Sequence, residues 1–297
     1  MMGLTFGSLF SGVGGFDLGF ERAGWECKWQ VEWDMRCQNV LNKHWSSVPK
    51  WLDVCDVDGG VVAPVDCIIF GSPCQDLSLA GRRAGIDGSK SSMFFEAVRI
   101  IGEMRDATSN VYPRVTVWEN VPGALTSNGG EDFAKVLETL GDIGAVEQEW
   151  AVLDAQYFGV PQRRRRIFLV SVFDTDIARE CPKQILPVSQ GVKRNDKQAE
   201  GIVGFYSTQG KYDVPEVNKL PPLKTVAAPC ISGETLRPRR LTPVEAERLM
   251  GWSDDHTRWG ADGTEQADTH RYKQCGNGVA SPVAQWVAEQ ISNLVGA

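Results

Sequence analysis

Phe6-Gly-Ser-Leu-Phe-Ser-Gly-Val-Gly-Gly-Phe16 joins a short apolar run to a cluster of three glycines, Gly12, Gly14 and Gly15, and then to a segment with helical periodicity. The pattern predicts a strand over Thr5–Leu9, a tight turn, and a helix over Gly15–Ala23, the opening unit of a sheet covered by helices. Glycines at such a turn let a ligand approach the backbone at the positively polarised start of the helix. A tight packing turn accounts for them about as well. Their spacing departs from Gly-x-Gly-x-x-Gly, which favours an adenosyl ligand without phosphates over a dinucleotide. Glu32, at the end of the next apolar run, stands where an acid in such folds binds ribose hydroxyls. A solvated strand end is an equal reading.

Working outward, further strands are expected over Lys28–Trp33, Asp66–Phe70, Arg114–Glu119, Glu149–Leu153 and Arg166–Val172, with helices over Met35–His44, Ser92–Arg105 and Glu131–Leu140. The fold class is therefore α/β, a mixed and mainly parallel Rossmann-like sheet. From Asp174 to Arg240 periodicity dissolves into proline, glycine and lysine, which marks a boundary. A helix returns at Thr242–Met250, where Thr242 can cap, Pro243 occupies the first turn, and Glu245 completes a capping box. An amphipathic segment, Pro282–Val295, is long enough to pack back on the sheet. Residues 1–174 with 271–297 are expected to form one domain, and residues 175–270, including Arg240–Glu245, a smaller one.

The bulk composition narrows the class. The chain has 297 residues, 42% of them hydrophobic and 23% charged, enough for one substantial core. No apolar run approaches a membrane span and the start carries no signal-peptide pattern, so a cytoplasmic location is expected, with no membrane partner. Eight cysteines without a CxxC pair, and only three histidines, predict free thiols and no metal site. A net charge of −7 argues against holding nucleic acid by bulk charge. Basic residues nevertheless cluster at Arg163–Arg166, at Lys193, Arg194 and Lys197, and at Arg237, Arg239 and Arg240.

Chemistry enters with Asp66-Cys-Ile-Ile-Phe-Gly-Ser-Pro-Cys-Gln-Asp-Leu-Ser78. A strand delivers Pro73-Cys74-Gln75 to its carboxyl end, where open α/β sheets place their ligands. A lone cysteine is most often a small buried hydrophobe, but Cys74, unlike Cys67, lies beyond the apolar strand. The following strand ends in Trp118-Glu119-Asn120-Val121-Pro122, so a carboxyl group emerges on the same rim. A thiol and an acid at adjacent strand ends form a plausible catalytic pair.

Read together, Phe10–Phe16, Pro73-Cys74-Gln75, Glu119-Asn120-Val121, Gln162–Arg166, Arg240–Glu245 and Gly276–Val279 resemble the ordered motifs of DNA (cytosine-5)-methyltransferases of bacterial or viral type. The resemblance runs from about Leu4 to Val283 and fails only in the irregular middle. It implies S-adenosyl-L-methionine as methyl donor, S-adenosyl-L-homocysteine as product, and double-stranded DNA as partner to a monomer in a bacterial or virus-infected cell. It casts Cys74 as nucleophile and Glu119 as the acid at the ring. Arg166 would hold the flipped cytosine, and Arg164 would support the active-site loop. Phe10 would stack on the adenine, Glu32 bind the ribose, Trp33 flank the adenine, and Asp56 with Val57 read its edge. Ser11, Gly12, Gly14, Gly15 and Pro73 would line the cofactor pocket, which Asn277 and Val279 close around the methionine part. DNA contacts are expected from Gln75, Ser78, Lys90, Arg163, Thr225, Arg237 and Arg239, with Thr225 in a target-recognition landmark and base choice in Asp174–Arg240.

Three positions depart from the family pattern: Gly71-Ser-Pro73 replaces a glycine- and proline-rich run, Met93 a usual leucine, and Lys90 a frequent arginine. None removes a group the reaction requires. An RNA (tRNA) cytosine methyltransferase and a catalytically silent DNA-binding homologue stay open as alternatives. A companion restriction endonuclease is not readable from the sequence.

Overall fold

The computed structural model describes residues 3–72, 92–180, 184–187, 203–205, 207–208, 211–212, 216–217, 230–232 and 239–296. The chain opens with β1 (Thr5–Leu9), α1 (Gly15–Arg22), β2 (Glu26–Val31), α2 (Met35–His44), β3 (Lys50–Trp51) and β4 (Cys67–Phe70). It continues with α3 (Ser92–Ala107), β5 (Val115–Asn120), α4 (Glu131–Asp142), β6 (Glu147–Asp154), β7 (Arg165–Val172) and α5 (Thr175–Glu180). The expected elements of this half are present with shifts of a residue or two at their ends.

Seven strands form one sheet in the order β3-β2-β1-β4-β5-β7-β6. The first five are mutually parallel, whereas β7 runs antiparallel to both β5 and β6. The chain travels outward from β1 to β3 and then returns to place β4 on the other side of β1. Strand order thus reverses between β1 and β4, where such sheets open a crevice at their carboxyl ends. The reversal of β7 matters as much. Its first residues lie beside the last residues of β5, with Asn120 opposite Ile167, so the arginines that begin β7 reach the same rim as Glu119.

Strands β4 and β5 are buried throughout, and β7 from Ile167 onward, because both faces of the sheet are covered. On one face, Phe6, Phe16, Phe20, Ile69, Val117 and Phe168 pack with Val283, Val287 and Ile291. On the other, Ile68, Phe70 and Trp118 pack with Phe94, Ile101 and Phe133. Helix α2 begins at Met35 because the Asp34 carboxylate accepts from the Arg36 N–H.

The second half holds short antiparallel strands: β8 (Val203–Phe205), β9 (Ser207–Thr208), β10 (Lys211–Tyr212), β11 (Glu216–Val217), β12 (Cys230–Ser232) and β13 (Arg239–Arg240). They pair as β11-β8-β12-β13 and β10-β9. Then come α6 (Pro243–Leu249), α7 (Asp268–Asn277) and α8 (Ser281–Val295). The predicted capping box is in place, with Glu245 N–H donating to Thr242 Oγ1 and Thr242 N–H to Glu245 Oε2.

The packing divides the chain differently from the periodicity. Leu241, Ala246, Leu249, Met250 and Trp252 are buried in the same cluster as Phe6 and Val283. These residues between 241 and 252, which composition groups with the smaller domain, share the core of the main sheet. Helix α7 is missing from the sequence expectations because it is polar along most of its length. It is held through Arg271, whose guanidinium donates to Glu247 at 3.0 and 3.1 Å and to Asp255 at 3.0 Å.

Candidate active site

A cleft of about 550 Å³ lies along the carboxyl ends of β1, β2, β4 and β5 and is bounded by the end of α7. It joins two chemically different regions. One is lined by Phe10, Ser11, Gly12, Glu32, Trp33, Asp34, Asn277 and Val279, the other by Gly71, Ser72, Glu119, Asn120 and Arg166.

The first region is built on the β1–α1 turn. Phe10 and Gly12 both adopt left-handed backbone conformations, φ 57° in each, which reverse the chain sharply after β1. The turn is tied to β2 by Ser11 N–H donating to the Val31 carbonyl and by Gly12 N–H donating to Glu32 Oε2 at 2.7 Å. Asp34 N–H donates to Glu32 Oε1 at 2.8 Å. Burial nonetheless keeps the Glu32 carboxyl above its ordinary pKa, with the two backbone donors opposing the rise. Trp33 is 72% exposed although it lines the cleft, leaving an aromatic face open to a ligand.

Of the three glycines, only Gly12 lines the cleft. Gly14 has φ +80°, and a Cβ there would sit 2.3 Å from the Trp45 ring; a Cβ at Gly15 would meet the Val279 carbonyl at 2.5 Å. Those two positions serve close packing, the reading left open from the sequence. Through Gly15 the turn sits against the final motif. Neither Asp56, which is exposed, nor Val57, which is buried in the core, is among the lining residues.

In the second region, Glu119 projects from the end of β5, and Arg166 Nε lies 3.0 Å from its Oε1, with side chains 11% and 20% exposed. Burial pushes the Glu119 carboxyl upward, and the charges of Arg166 and then Arg164 pull it back. The run Gln162–Arg166 alternates buried and exposed down to Arg165, as a strand entry must. Arg163 and Arg165 face solvent, whereas Arg164, 2% exposed, donates to the carbonyls of Gly276 at 2.9 Å and Gly278 at 2.6 Å. The arginine run is therefore not simply a solvated charge cluster, and Arg164 holds the end of α7 in place.

The strand that carries Glu119 also holds the chain leaving β4. Trp118 Nε1 donates to Ser72 Oγ at 3.0 Å and Asn120 Nδ2 to the Ser72 carbonyl at 3.3 Å. Pro73, Cys74, Gln75, Ser78, Lys90, Thr225 and Arg237 lie outside the described residues, as does the side chain of Arg239. Sequence reasoning missed Ser8, Asp34, Ser72, Lys273 and Gln274 as lining residues. Asp34 carried a signal in its place just before a helical pattern; Lys273 and Gln274 carried none, since their helix has no apolar stripe. Among the described residues no group of side chains could hold a metal ion, and no helix is long and apolar enough to cross a membrane.

The Type II methyltransferase M.BsuFI of Bacillus subtilis is 27% identical over 96% of this chain and 71% of its own length. The Type II methyltransferase M.HhaI of Haemophilus parahaemolyticus is 26% identical over 99% of this chain and 95% of its own. Among solved structures, the Dnmt2 methyltransferase of S. pombe superposes with a TM-score of 0.70 at 16% identity, covering 98% of this chain and 99% of that one. At that identity the likeness concerns the fold alone. The family model for C-5 cytosine-specific DNA methylase matches residues 4–198 and 177–293, and the chain belongs to that family.

Proposed function

We propose that the two regions of the cleft bring S-adenosyl-L-methionine and an extruded cytosine of a short duplex DNA sequence together, with Cys74 as the nucleophile. The observation that carries the reading is the largely buried Glu119–Arg166 pair at the end of a cleft whose other end offers an acid and an open aromatic face. Family membership implies the methyl donor, and the donor set fits it. Glu32 keeps lone pairs on both oxygens beside its two backbone partners and suits a ribose diol, while Trp33 and Phe10 suit an adenine ring. Asn277 and Val279 line the remaining wall. The donor supplies an electrophilic methyl group.

Carbon 5 of cytosine is too poor a nucleophile to take that group unaided. Addition of the Cys74 thiolate at carbon 6 converts the ring to an enamine whose carbon 5 is nucleophilic, and thiolates are intrinsically strong nucleophiles. Glu119 faces ring nitrogen 3 and the exocyclic amino group. Burial, which raises its pKa, favours a proton on the carboxyl for nitrogen 3 to take up as charge develops there. Arg166 both orients Glu119 and holds the base. A stacked base cannot enter such a cleft, so the nucleotide must swing out of the duplex at a cost of a few kcal/mol. Loss of the carbon 5 proton and expulsion of Cys74 release the product. Sequence choice is assigned to Asp174–Arg240, whose lysines and arginines would contact phosphates while a few side chains read base edges.

The test is methylation of mixed-sequence duplex DNA followed by base-resolution mapping, paired with trapping on a duplex containing 5-fluorocytosine. Wild-type protein should methylate one short sequence and form a stable adduct. Cys74→Ala should do neither while binding S-adenosyl-L-homocysteine within about twofold of wild type. Retained turnover in that variant would overturn the nucleophile assignment.

A further inference from the structure

Beneath the Phe10–Gly12 turn a buried polar chain runs inward from the cleft. Asp17, in the first turn of α1, is fully buried. Its Oδ1 accepts from Gln30 Nε2 at 2.8 Å and its Oδ2 from Ser8 Oγ at 3.1 Å, and Ser8 Oγ lies 2.9 Å from Ser11 Oγ. Ser8 and Ser11 both line the cleft. A hydroxyl has one proton to donate and an ionised carboxylate has none, so the chain can run in only one direction. Ser8 donates to Asp17, and Ser11 donates to Ser8. The other acceptors within reach of Ser11 Oγ, the carbonyls of Ser8 at 3.1 Å and Val31 at 3.4 Å, also lie inside the protein. Ser11 therefore turns lone pairs, and not its hydrogen, toward the cleft.

We propose that Asp17 is a positioning residue which, acting through Ser8, makes Ser11 an acceptor for the ammonium group on the amino-acid end of the cofactor. The inference rests on the cofactor reading of the cleft. The ammonium is the group that needs such polarity, since it donates and cannot accept; ribose hydroxyls can do either and are indifferent to the direction of the chain. Burial pushes the Asp17 carboxyl up to about 6. The charged or titratable groups facing it are Glu21 on α1, the Cys27 thiol on β2 and, more distantly, Lys50 on β3. A protonated Asp17 can donate to Ser8 and reverse the chain, so that Ser11 presents a hydrogen instead.

The experiment measures calorimetric affinity for two probes, S-adenosyl-L-homocysteine and 5′-methylthioadenosine, which keeps the adenosine and lacks the amino-acid end. Asp17→Asn and Ser11→Ala are compared with the wild type. Asparagine can keep its carbonyl on Gln30 while its amide donates to Ser8, reversing the chain with little change of shape. Both variants should bind S-adenosyl-L-homocysteine about tenfold more weakly, the scale of one hydrogen bond to a charged group, and 5′-methylthioadenosine within about twofold of wild type. The affinity of wild type for S-adenosyl-L-homocysteine should also fall as pH drops through about 6. That component should be missing from Asp17→Asn, whereas Glu32, which also titrates in the cleft, contributes equally to both proteins. Ser11→Ala removes one hydroxyl at the cleft wall and keeps the test available if Asp17→Asn folds poorly. Equal losses on both probes, or no loss on either, would overturn the inference while leaving the cofactor reading intact. Failure of the wild type to bind either probe would remove the cofactor reading and the inference with it.

Discussion

Arg166→Met removes the guanidinium from Glu119 while keeping most of the aliphatic stem, and its effect can be worked from the geometry. At the 3.0 Å separation of Nε and Oε1, unit charges in surroundings of effective dielectric constant about 20 attract by about 5.5 kcal/mol. Arg166 retains a fifth of its side-chain exposure, so solvent screens part of this, and truncating one partner of a comparable pair costs about 2–5 kcal/mol. Without that attraction the Glu119 carboxyl should move further above its ordinary pKa. Burial already holds it above the ordinary value, and Arg166 is the largest influence opposing that rise.

Under the proposed mechanism Glu119 acts at nitrogen 3 in its protonated form, so activity should be lost as pH rises through its pKa. A higher pKa carries that alkaline limb upward. The maximal rate should fall about 10²–10³-fold, because a donor aimed at the reacting ring has gone. The assay is single-turnover transfer of labelled methyl groups to a duplex carrying the mapped site, measured across pH for wild type, Arg166→Met and Glu119→Gln. The wild-type limb should move upward in Arg166→Met and be absent from the residual activity of Glu119→Gln. A limb that stays in place in both variants would belong to another group and would refute the assignment of Glu119 as proton donor.

Two further outcomes are expected. Glu32→Ala withdraws the acceptor of two backbone N–H groups as well as the proposed ribose partner, and calorimetry should find S-adenosyl-L-homocysteine bound about 10–100-fold more weakly; an unchanged dissociation constant would count against ribose binding by this acid. Arg271→Met leaves Glu247, which has no exposed surface, as an uncompensated buried charge. Urea unfolding should show a loss of about 3–5 kcal/mol. Adding Glu247→Gln should restore part of that, because the amide keeps a partner for Thr257 without the charge; a loss below about 1 kcal/mol in the single variant would show that the pair is dispensable.

Whether a feature of this protein is legible in its sequence depends on the range of the forces that create it. The β1–α1 unit, helix α2 with its Asp34 cap, and the Thr242–Glu245 capping box are set by apolar period and by bonds spanning three or four residues, and such short-range causes show directly in the order of residues. The alternation in Gln162–Arg166 is equally local. Only the strand it enters reveals which arginines turn inward. Helix α7 is not legible, because its stability comes from Arg271 reaching Glu247 and Asp255 and from Arg164 holding its last carbonyls, contacts made across long stretches of chain.

The residue types the chemistry needs, and their order along the chain, are thus determined by the sequence alone, since a thiol, an acid, an arginine and a glycine turn are local facts. Tertiary structure decides their association. An antiparallel β7 brings Arg166 to Glu119, close packing claims Gly14 and Gly15, and the core takes in residues 241–252. Burial and strand direction are properties of the assembled sheet, because each is set by neighbours that no single segment of the sequence contains.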